Sequence, residues 1–191
     1  MKLWKNSPDK YKAVYFYGRE RFSNKEMAYG KRLADYLEGR VEEEDEMIVG
    51  LATLLPKYRY MGQMLEQNLE TKHGIIRIVG APDTYDARPL RFREYKTGKR
   101  PWSQALVDKS EQITMYCLLL YLKYGKIPKD IWLDWAETTD GRGDGGIALT
   151  GNIQSFKTSR RLADILRLAR EIERVALEIQ KTWREEMKKL S

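Results

Sequence analysis

Hydrophobic positions repeat with a helical period in four parts of the chain. In the first of them, Ser23 is followed three residues later by Glu26, a pair typical of a capping box at a helix N-terminus. Met27, Leu33 and Leu37 then fit one buried stripe of that helix. The sequence predicts helices over 23–40, from the acidic run 42–46 to the residue before Pro56, over 108–125 with Asp108 or Ser110 as cap, and from 159 onwards.

The last of these helices carries a long apolar seam. Its apolar residues are spaced alternately four and three apart, at Ile165, Ala169, Ile172, Ala176, Ile179 and Trp183. A seam of this kind packs on the core of its own chain or against a second copy. Packing on the core is the more common outcome, and a homo-oligomer formed through the C-terminal helix is the alternative.

Alternating apolar and polar residues predict strands between the helices, at 64–70, 74–80, 90–97, 131–138 and 147–151. The first two are joined at Lys72-His73-Gly74 and predict a hairpin, and the glycine-rich segment 140–146 predicts a second one. This order of elements indicates an α/β fold with a mixed sheet of about five strands flanked by helices and followed by a long C-terminal helix. We expect one domain over 1–191.

Composition narrows the class of protein. The chain has no apolar run long enough to cross a bilayer and no apolar signal segment near residue 1, so we expect a cytoplasmic protein. Its single cysteine, Cys117, excludes a disulfide framework and a cysteine-ligated iron–sulfur cluster within one chain, and its apolar surroundings indicate a buried packing residue. The net charge of +7 favours a polyanionic partner, nucleic acid first.

One predicted strand carries an acid and a base on the same face. Glu94 and Lys96 are two residues apart, and Asp83 lies eleven residues before Glu94. If the two strands are neighbours, Asp83 and Glu94 converge into a site of hard oxygen ligands suited to Mg²⁺ or Mn²⁺. Lys96 could then orient a water or stabilise charge on a phosphate. The alternative is an ordinary ion pair on an exposed strand, which contributes roughly 0–1 kcal/mol.

The helix that follows presents two polar residues on one face. Gln112 and Tyr116 are four residues apart, so they lie one turn above each other. They could point together at the strand edge and hold a substrate phosphate or orient Lys96. Alternatively, Tyr116 is part of the core and Gln112 is solvated.

Three blocks of sequence, GAPD at 80–83, EYKTG at 94–98 and QITMY at 112–116, resemble the PD-(D/E)xK nuclease superfamily. The chain is most similar to its RecB-type exonuclease group, which includes CRISPR-associated RecB-like exonucleases, the mitochondrial genome maintenance exonuclease and related phage enzymes. The resemblance covers about residues 25 to 125. It implies a restriction-endonuclease-like core and Mg²⁺- or Mn²⁺-dependent hydrolysis of DNA, by an exonuclease rather than an endonuclease, in recombination, repair or phage DNA processing in a bacterial cytosol.

The resemblance also implies roles for single residues. Asp83 and Glu94 would bind metal with the backbone carbonyl of Tyr95, Lys96 would be the catalytic lysine, and Gln112 and Tyr116 would complete the site. The stretch before the GAPD block often carries a glutamate in this family. Glu66 matches it, with Glu70 as a rival, and a solvent-facing hairpin acid is the alternative for both.

One position departs from the family pattern. Ala34 stands where RecB-type members carry a metal-binding histidine in the first helix. Asp35 is one position away and Glu38 is one turn on, so either could replace the missing ligand. His73, in a predicted turn, is a poor substitute. The four-cysteine iron–sulfur site of the CRISPR-associated branch is absent from this sequence.

Basic residues cluster around these blocks and suggest contacts to single-stranded DNA or to duplex ends, where cations follow the backbone and an aromatic ring stacks on a base. A solvated surface with Trp102 as a core residue is the alternative. Two further functions stay open, a catalytically weak DNA-binding or recombination or packaging protein, and a hydrolase of smaller phosphate esters. The candidate nucleic-acid contacts are Lys31, Arg32, Lys99, Arg100, Trp102, Lys157, Arg160 and Arg161.

Overall fold

The structure, a computed structural model, describes residues 2–20, 23–141 and 146–190. Most of the predicted glycine-rich turn, 142–145, lies outside the described residues. Seven helices and seven strands follow one another in the described part of the chain: α1 Lys2–Asn6, α2 Pro8–Tyr15, α3 Lys25–Leu37, α4 Glu46–Leu54, β1 Tyr60–Met61, β2 Leu65–Thr71, β3 Gly74–Gly80, β4 Thr84–Ala87, β5 Leu90–Gly98, α5 Gln104–Asp108, α6 Glu111–Tyr124, β6 Asp130–Asp140, β7 Ile147–Thr158 and α7 Leu162–Leu190.

Five strands form a mixed sheet in the order β1-β4-β5-β6-β7, in which β5 and β6 are parallel and the other pairs antiparallel. The predicted α/β fold with a five-stranded mixed sheet and a long C-terminal helix is therefore confirmed. Two of the five strands differ from the prediction, because β2 and β3 pair only with each other. Their places are taken by β1 and β4, which are two and four residues long and too short to show an alternating pattern.

Hydrophobic residues fill both faces of the sheet. On one face α3 and α4 pack over Tyr95 and Ala136, and on the other α5, α6, α7 and the β2–β3 hairpin pack over Phe92 and Leu133. Cys117 is fully buried in the second layer, where burial raises the pKa of its thiol to about 12. It is a packing residue, as predicted. None of the described helices combines the length and apolarity needed to span a bilayer.

Helix α3 begins one residue later than its predicted cap. The side chain of Asn24, rather than Ser23, accepts a hydrogen bond from the backbone N–H of Met27 at 2.8 Å. The predictions of a Ser23 cap and of a buried Met27 are therefore wrong, and the Met27 residue is 57% exposed. Leu33 is buried as predicted, and Tyr29 takes the place of Met27 on the buried face. Helix α6 fits the prediction better, since its cap is Ser110 and it ends at the left-handed Gly125.

This chain covers much of the apolar seam of α7, although Trp183 at its far end is 39% exposed. Ile165 and Ile172 are buried against the core. Further along, the ring of Trp183 meets the ring of Phe16, which caps α2, edge to face at 4.7 Å between centroids. The indole N–H of Trp4 in α1 donates to Glu178 of α7 at 3.3 Å. The helices α1 and α2, which the hydrophobic pattern did not reveal, therefore take the place of a partner on this seam. A homo-oligomer through α7 stays a prediction.

Arg160 joins three elements from inside the protein. The residue is only 8% exposed, and its guanidinium donates to the hydroxyls of Thr114 and Thr158 and to the carbonyls of Val107, Ser110 and Ser159, at 2.7–3.2 Å. A buried guanidinium with its donors occupied has none to offer a phosphate. Arg160 is therefore not a nucleic-acid contact, contrary to the prediction. It holds α5, α6 and the end of β7 together.

Replacing Arg160 by methionine is expected to lower the free energy of unfolding by about 2–4 kcal/mol, because it leaves buried carbonyls and hydroxyls without donors. Denaturant unfolding measures this loss. The neighbouring Arg161→Met is the matched control, since Arg161 is exposed and should change stability by less than about 0.5 kcal/mol. Equal stability of the two variants would contradict the assigned role.

Candidate active site

The pairing of β4 with β5 brings Asp83 beside Glu94. Thr84 pairs with Arg93, so the preceding Asp83 lies opposite the following Glu94. One carboxylate oxygen of Asp83 accepts the backbone N–H of Tyr95 at 2.5 Å, and its carbonyl accepts the N–H of Gly62 at 2.9 Å. The predicted convergence of the two acids is therefore present, and it is the short strand β4 that produces it.

Glu94 is held by donors from a strand and a helix. The residue is 2% exposed, and its Oε1 accepts from Lys96 Nζ at 2.5 Å and from Gln112 Nε2 at 2.7 Å. Gln112 Nε2 also donates to the hydroxyl of Tyr116 at 2.8 Å. Four of the predicted site residues thus form one connected group, and the one-turn spacing of Gln112 and Tyr116 on α6 is what makes the second contact possible.

A glycine lets the hairpin approach this helix. A side chain at Gly80 would place its first carbon 3.0 Å from Leu119 and 3.3 Å from the ring of Tyr116. A larger residue at the first position of the GAPD block would therefore require Leu119 or Tyr116 to move by a few tenths of an ångström. Because Gly80 ends β3 and Asp83 precedes β4, this packing also fixes where Asp83 begins its approach to Glu94.

The second oxygen of Glu94, Oε2, is buried and has no hydrogen-bond partner among the described residues when both acids are ionised; only a protonated Asp83 could donate to Glu94. Burial, followed by the negative charge of Glu94, raises the pKa of Asp83 well above its usual range, and burial raises the pKa of Glu94 as well. The two carboxyl groups therefore share a place in which negative charge is not compensated. Either a proton or a cation would relieve it.

The donor set fits a hard divalent cation. Two adjoining carboxylates, one with an unpartnered buried oxygen, are ligands that Mg²⁺ and Mn²⁺ prefer. Within the described ranges, no group of three or more acidic, histidine or cysteine side chains is close enough to hold an ion. The protein would therefore supply two carboxylates, with water and main-chain oxygens as the remaining ligands, which is a common arrangement for Mg²⁺.

Helix α3 passes this site with three residues spaced four apart, Gly30, Ala34 and Glu38. A side-chain carbon at Gly30 would lie 3.1 Å from Thr97 Oγ1, and one at Gly62 would lie 1.9 Å from the carboxyl carbon of Glu38. Glu38 thus occupies the space above Gly62, whose N–H bonds Asp83. Ala34 lies between these two contacts, so the helix passes the site with a methyl group at its middle position.

The other acids suggested by the sequence lie elsewhere. Glu66 is exposed on the outer face of the hairpin and pairs with Arg77 at 2.5 Å. Glu70 is exposed near the hairpin tip, next to the turn that carries His73. Asp35 pairs with Lys31 and, at 3.5 Å, with Arg40. Of the candidates for a further ligand, only Glu38 lies beside a residue that touches Asp83, and its carboxylate also forms an ion pair, with Arg40.

The predicted basic residues are spread over several surfaces. Arg100 and Trp102 line a cleft that also contains Lys96. Lys99 instead pairs with Asp140 and, at 3.7 Å, with Glu26, and Lys31 pairs with Asp35 on its own helix. Arg161 is exposed just before α7. The structure therefore gathers only part of the predicted cationic surface near the candidate site.

A solved structure shares the fold. The crystal structure of "Putative exonuclease" from Eubacterium rectale aligns with 93% of this chain and 75% of its own, with a TM-score of 0.62 and 10% sequence identity. The structure of a protein named SSO0001 aligns with 87% of this chain and 83% of its own at 15% identity, but its TM-score of 0.41 is too low for an argument. No family model matches the chain, and no curated protein matches it by sequence. The first likeness shows that the two proteins share a fold.

The raised pKa of Asp83 predicts how stability depends on pH without metal. Ionisation of Asp83 is less favourable in the folded than in the unfolded protein. The resulting loss of folding stability is absent below the usual carboxyl pKa and grows as the pH rises towards the raised pKa of Asp83. In EDTA, Asp83→Asn keeps an acceptor for the Tyr95 N–H and should raise the melting temperature at pH 8 but hardly at pH 4. Glu70→Gln, which removes an exposed acid, should show no such rise. Equal behaviour of the two variants across this range would contradict the interpretation.

Proposed function

We propose that the protein is a divalent-metal-dependent nuclease that hydrolyses phosphodiester bonds in DNA, with exonuclease activity favoured. The observation that carries the proposal is the state of Glu94, whose buried carboxylate is held at one oxygen by Lys96 and Gln112 and left without a partner at the other, beside Asp83. A carboxylate ion-paired only for stability has no reason to keep one oxygen buried and unsatisfied.

Asp83 and Glu94 would hold the cation, Mg²⁺ or Mn²⁺, with the backbone carbonyl of Tyr95 as a further ligand. When bound, such an ion supplies Lewis-acid stabilisation of charge on the phosphate oxygens and a more acidic water. The chain's own part is to hold the two carboxyl groups adjacent in a buried place that raises the pKa of both, so that binding of the ion would displace a proton. The Tyr95 N–H and the ammonium of Lys96 favour their ionised forms.

Lys96 stands between the carboxylates and the cleft. Its ammonium is bonded to Glu94, while its side chain is 28% exposed and lines the cleft. An ammonium has three donors, so Lys96 can keep Glu94 and still donate to a water or to a phosphate oxygen. We assign it the positioning of the attacking water and the stabilisation of charge on the phosphate.

Gln112 and Tyr116 support that arrangement from α6. The amide nitrogen of Gln112 donates to both Glu94 and Tyr116, which fixes the side chain. Burial raises the pKa of Tyr116, so its hydroxyl stays protonated and can itself donate. The two residues hold Glu94 in place and give α6 a polar edge towards the substrate.

The choice of DNA as substrate rests on the net charge of +7 and on the three sequence blocks that resemble RecB-type exonucleases. The name of the Eubacterium rectale protein describes that protein, and the shared fold supports a nuclease-like scaffold here. The second candidate function is a catalytically weak DNA-binding protein. It is favoured by Ala34 and by a donor set of two side-chain carboxylates among the described residues.

Replacing Glu94 by glutamine, or Lys96 by methionine, is expected to lower the rate of DNA hydrolysis at least about 100-fold, as is usual for removing a positioned catalytic group. The assay uses end-labelled linear single- and double-stranded DNA beside closed circular DNA, in Mg²⁺, Mn²⁺ or EDTA. Lys99→Met is the control, since Lys99 lies on the same segment but pairs with Asp140.

Shortening of linear DNA only with metal, loss of activity in both variants, and intact circles would support a metal-dependent exonuclease. Cutting of closed circles would indicate an endonuclease. Activity that survives EDTA, or that persists in Glu94→Gln, would overturn the assignment. Binding of DNA without hydrolysis in either metal would favour the second candidate function.

We further propose that Glu38, which is ion-paired with Arg40, acts as an outer-shell acid in place of the ligand missing at Ala34. Glu38→Gln is expected to weaken Mn²⁺ binding roughly tenfold, an effect typical of an outer-shell ligand partner. Isothermal titration without DNA measures it, with Asp83→Asn as the positive reference and Glu66→Gln as the matched control. If Glu38→Gln behaves like Glu66→Gln while Asp83→Asn loses binding, Glu38 has no part in the site.

A further inference from the structure

A cleft of about 720 Å³ opens directly beside Lys96 and Gln112. Its volume lies in the range of sites that hold a small ligand or a short stretch of a polymer. The walls come from parts of the chain far apart in sequence: one carries Lys5 and Asn6 of α1, and the other carries Arg100, Trp102 and Leu106 from the segment after β5. The first turn of α6, with Gln112, closes the end towards Glu94.

The cleft carries unbalanced positive charge. Arg100 and Lys109 are exposed and line it, and neither forms an ion pair with any described residue. The lining acid Glu111 is already bonded to Lys5 at 3.0 Å. Most other cations around the site are paired, as Lys99 and Lys31 are. The free cations of this region are therefore concentrated in the cleft, which leads to the carboxylates.

Helix α1 is fixed in its position as one wall. Trp4 is 8% exposed and reaches Glu178, and the ammonium of Lys5 bridges Glu171 of α7 at 2.7 Å and Glu111 of α6. These contacts tie the N-terminal helix to two others across the cleft's edge. The cleft is bounded by α1 and by the segment that carries Trp102, and sites for one strand combine such a cationic groove with an aromatic ring on which a base stacks.

We propose that this cleft is the binding groove of one strand of nucleic acid leading to the candidate active site. Arg100 and Lys109 would contact its phosphates, and the half-buried ring of Trp102 would stack on a base. Helix α1 confines the strand from the opposite side. This inference rests on the proposed function, since it supplies the route by which a phosphodiester reaches Lys96.

Binding is measured without hydrolysis, in EDTA, by fluorescence anisotropy of labelled single-stranded DNA, RNA of the same sequence, and duplex DNA. The double variant Arg100→Ala with Lys109→Ala is expected to weaken single-strand affinity at least about tenfold. It should also lower the slope of log affinity against log salt by about 1.4, since each phosphate that is no longer neutralised accounts for about 0.7. Comparing the affinities for single-stranded DNA and for RNA of the same sequence shows which of the two nucleic acids the cleft prefers.

The matched control is Lys123→Ala with Lys126→Ala. It removes the same charge at the opposite end of α6, about 17 Å along the helix from Gln112. Equal weakening in both double variants would mean that binding follows total charge, and the groove would be rejected. The groove would also be rejected if duplex DNA bound more tightly than single-stranded DNA and the Arg100→Ala, Lys109→Ala variant weakened binding of both equally.

A cysteine footprint tests the role of α1. Asn6→Cys and Leu106→Cys place reactive thiols on opposite walls, while the native Cys117 is buried and should not react. A single-stranded oligonucleotide should slow alkylation at both positions by at least about fivefold, and at the control Ile75→Cys on the exposed hairpin face by none. Protection at Leu106 without protection at Asn6 would remove α1 from the groove.

These results separate the groove from the proposed function. If single strands bind through Arg100 and Lys109 but no metal supports hydrolysis, the groove stands and the nuclease assignment fails. If DNA is hydrolysed with metal while the groove variants match their control in binding and rate, the nuclease assignment stands and the groove fails.

Discussion

The burial of one carboxylate determines much of this structure. Glu94 lies in the middle of β5 under α6, where an ionised group is costly to desolvate. Two donors, from Lys96 and Gln112, reduce that cost at one oxygen, and the other oxygen is left beside Asp83. The cap at Ser110 sets where α6 begins and hence where Gln112 points, and Gly80 allows the hairpin to press against the same helix. A site this poorly balanced persists because the two layers around it are well packed.

The same requirement explains the uneven roles of the surrounding helices. Helix α6 faces the buried side of β5 and provides hydrogen bonds, whereas α3 crosses the other face and meets the site only along the line from Gly30 to Glu38. Between the close contacts at Gly30 and Gly62, α3 presents the methyl group of Ala34, which cannot bind a cation. Glu38, one turn on, lies above Gly62 and so remains within reach of the Asp83 segment without interrupting that packing.

Local patterns were enough to predict which polar side chains come together but not the path of the chain. Alternation along β5 placed Glu94 and Lys96 on one face, and a spacing of four placed Gln112 under Tyr116, because both rules depend on backbone geometry alone. The strand that follows Asp83, β4, was not predicted, because its four residues are too few to show an alternating hydrophobic pattern. Arg160 was misjudged for a related reason. Whether a cation near a helix start is buried depends on carbonyls from Val107 and Ser110, which only the tertiary fold brings together.

Net charge gives an equally incomplete account of where a polyanion would bind. Of the cations that the sequence placed near the site, Lys31 and Lys99 are neutralised by neighbouring acids and Arg160 is buried. Lys5 of α1 also lines the cleft but pairs with Glu111 and Glu171, so the cations there without ion-pair partners among the described residues are Arg100 and Lys109. A surface ion pair contributes little to stability, but it lowers the field that a phosphate feels. Attraction is therefore strongest where cations lack partners, and in this region that is the cleft between α1 and Trp102.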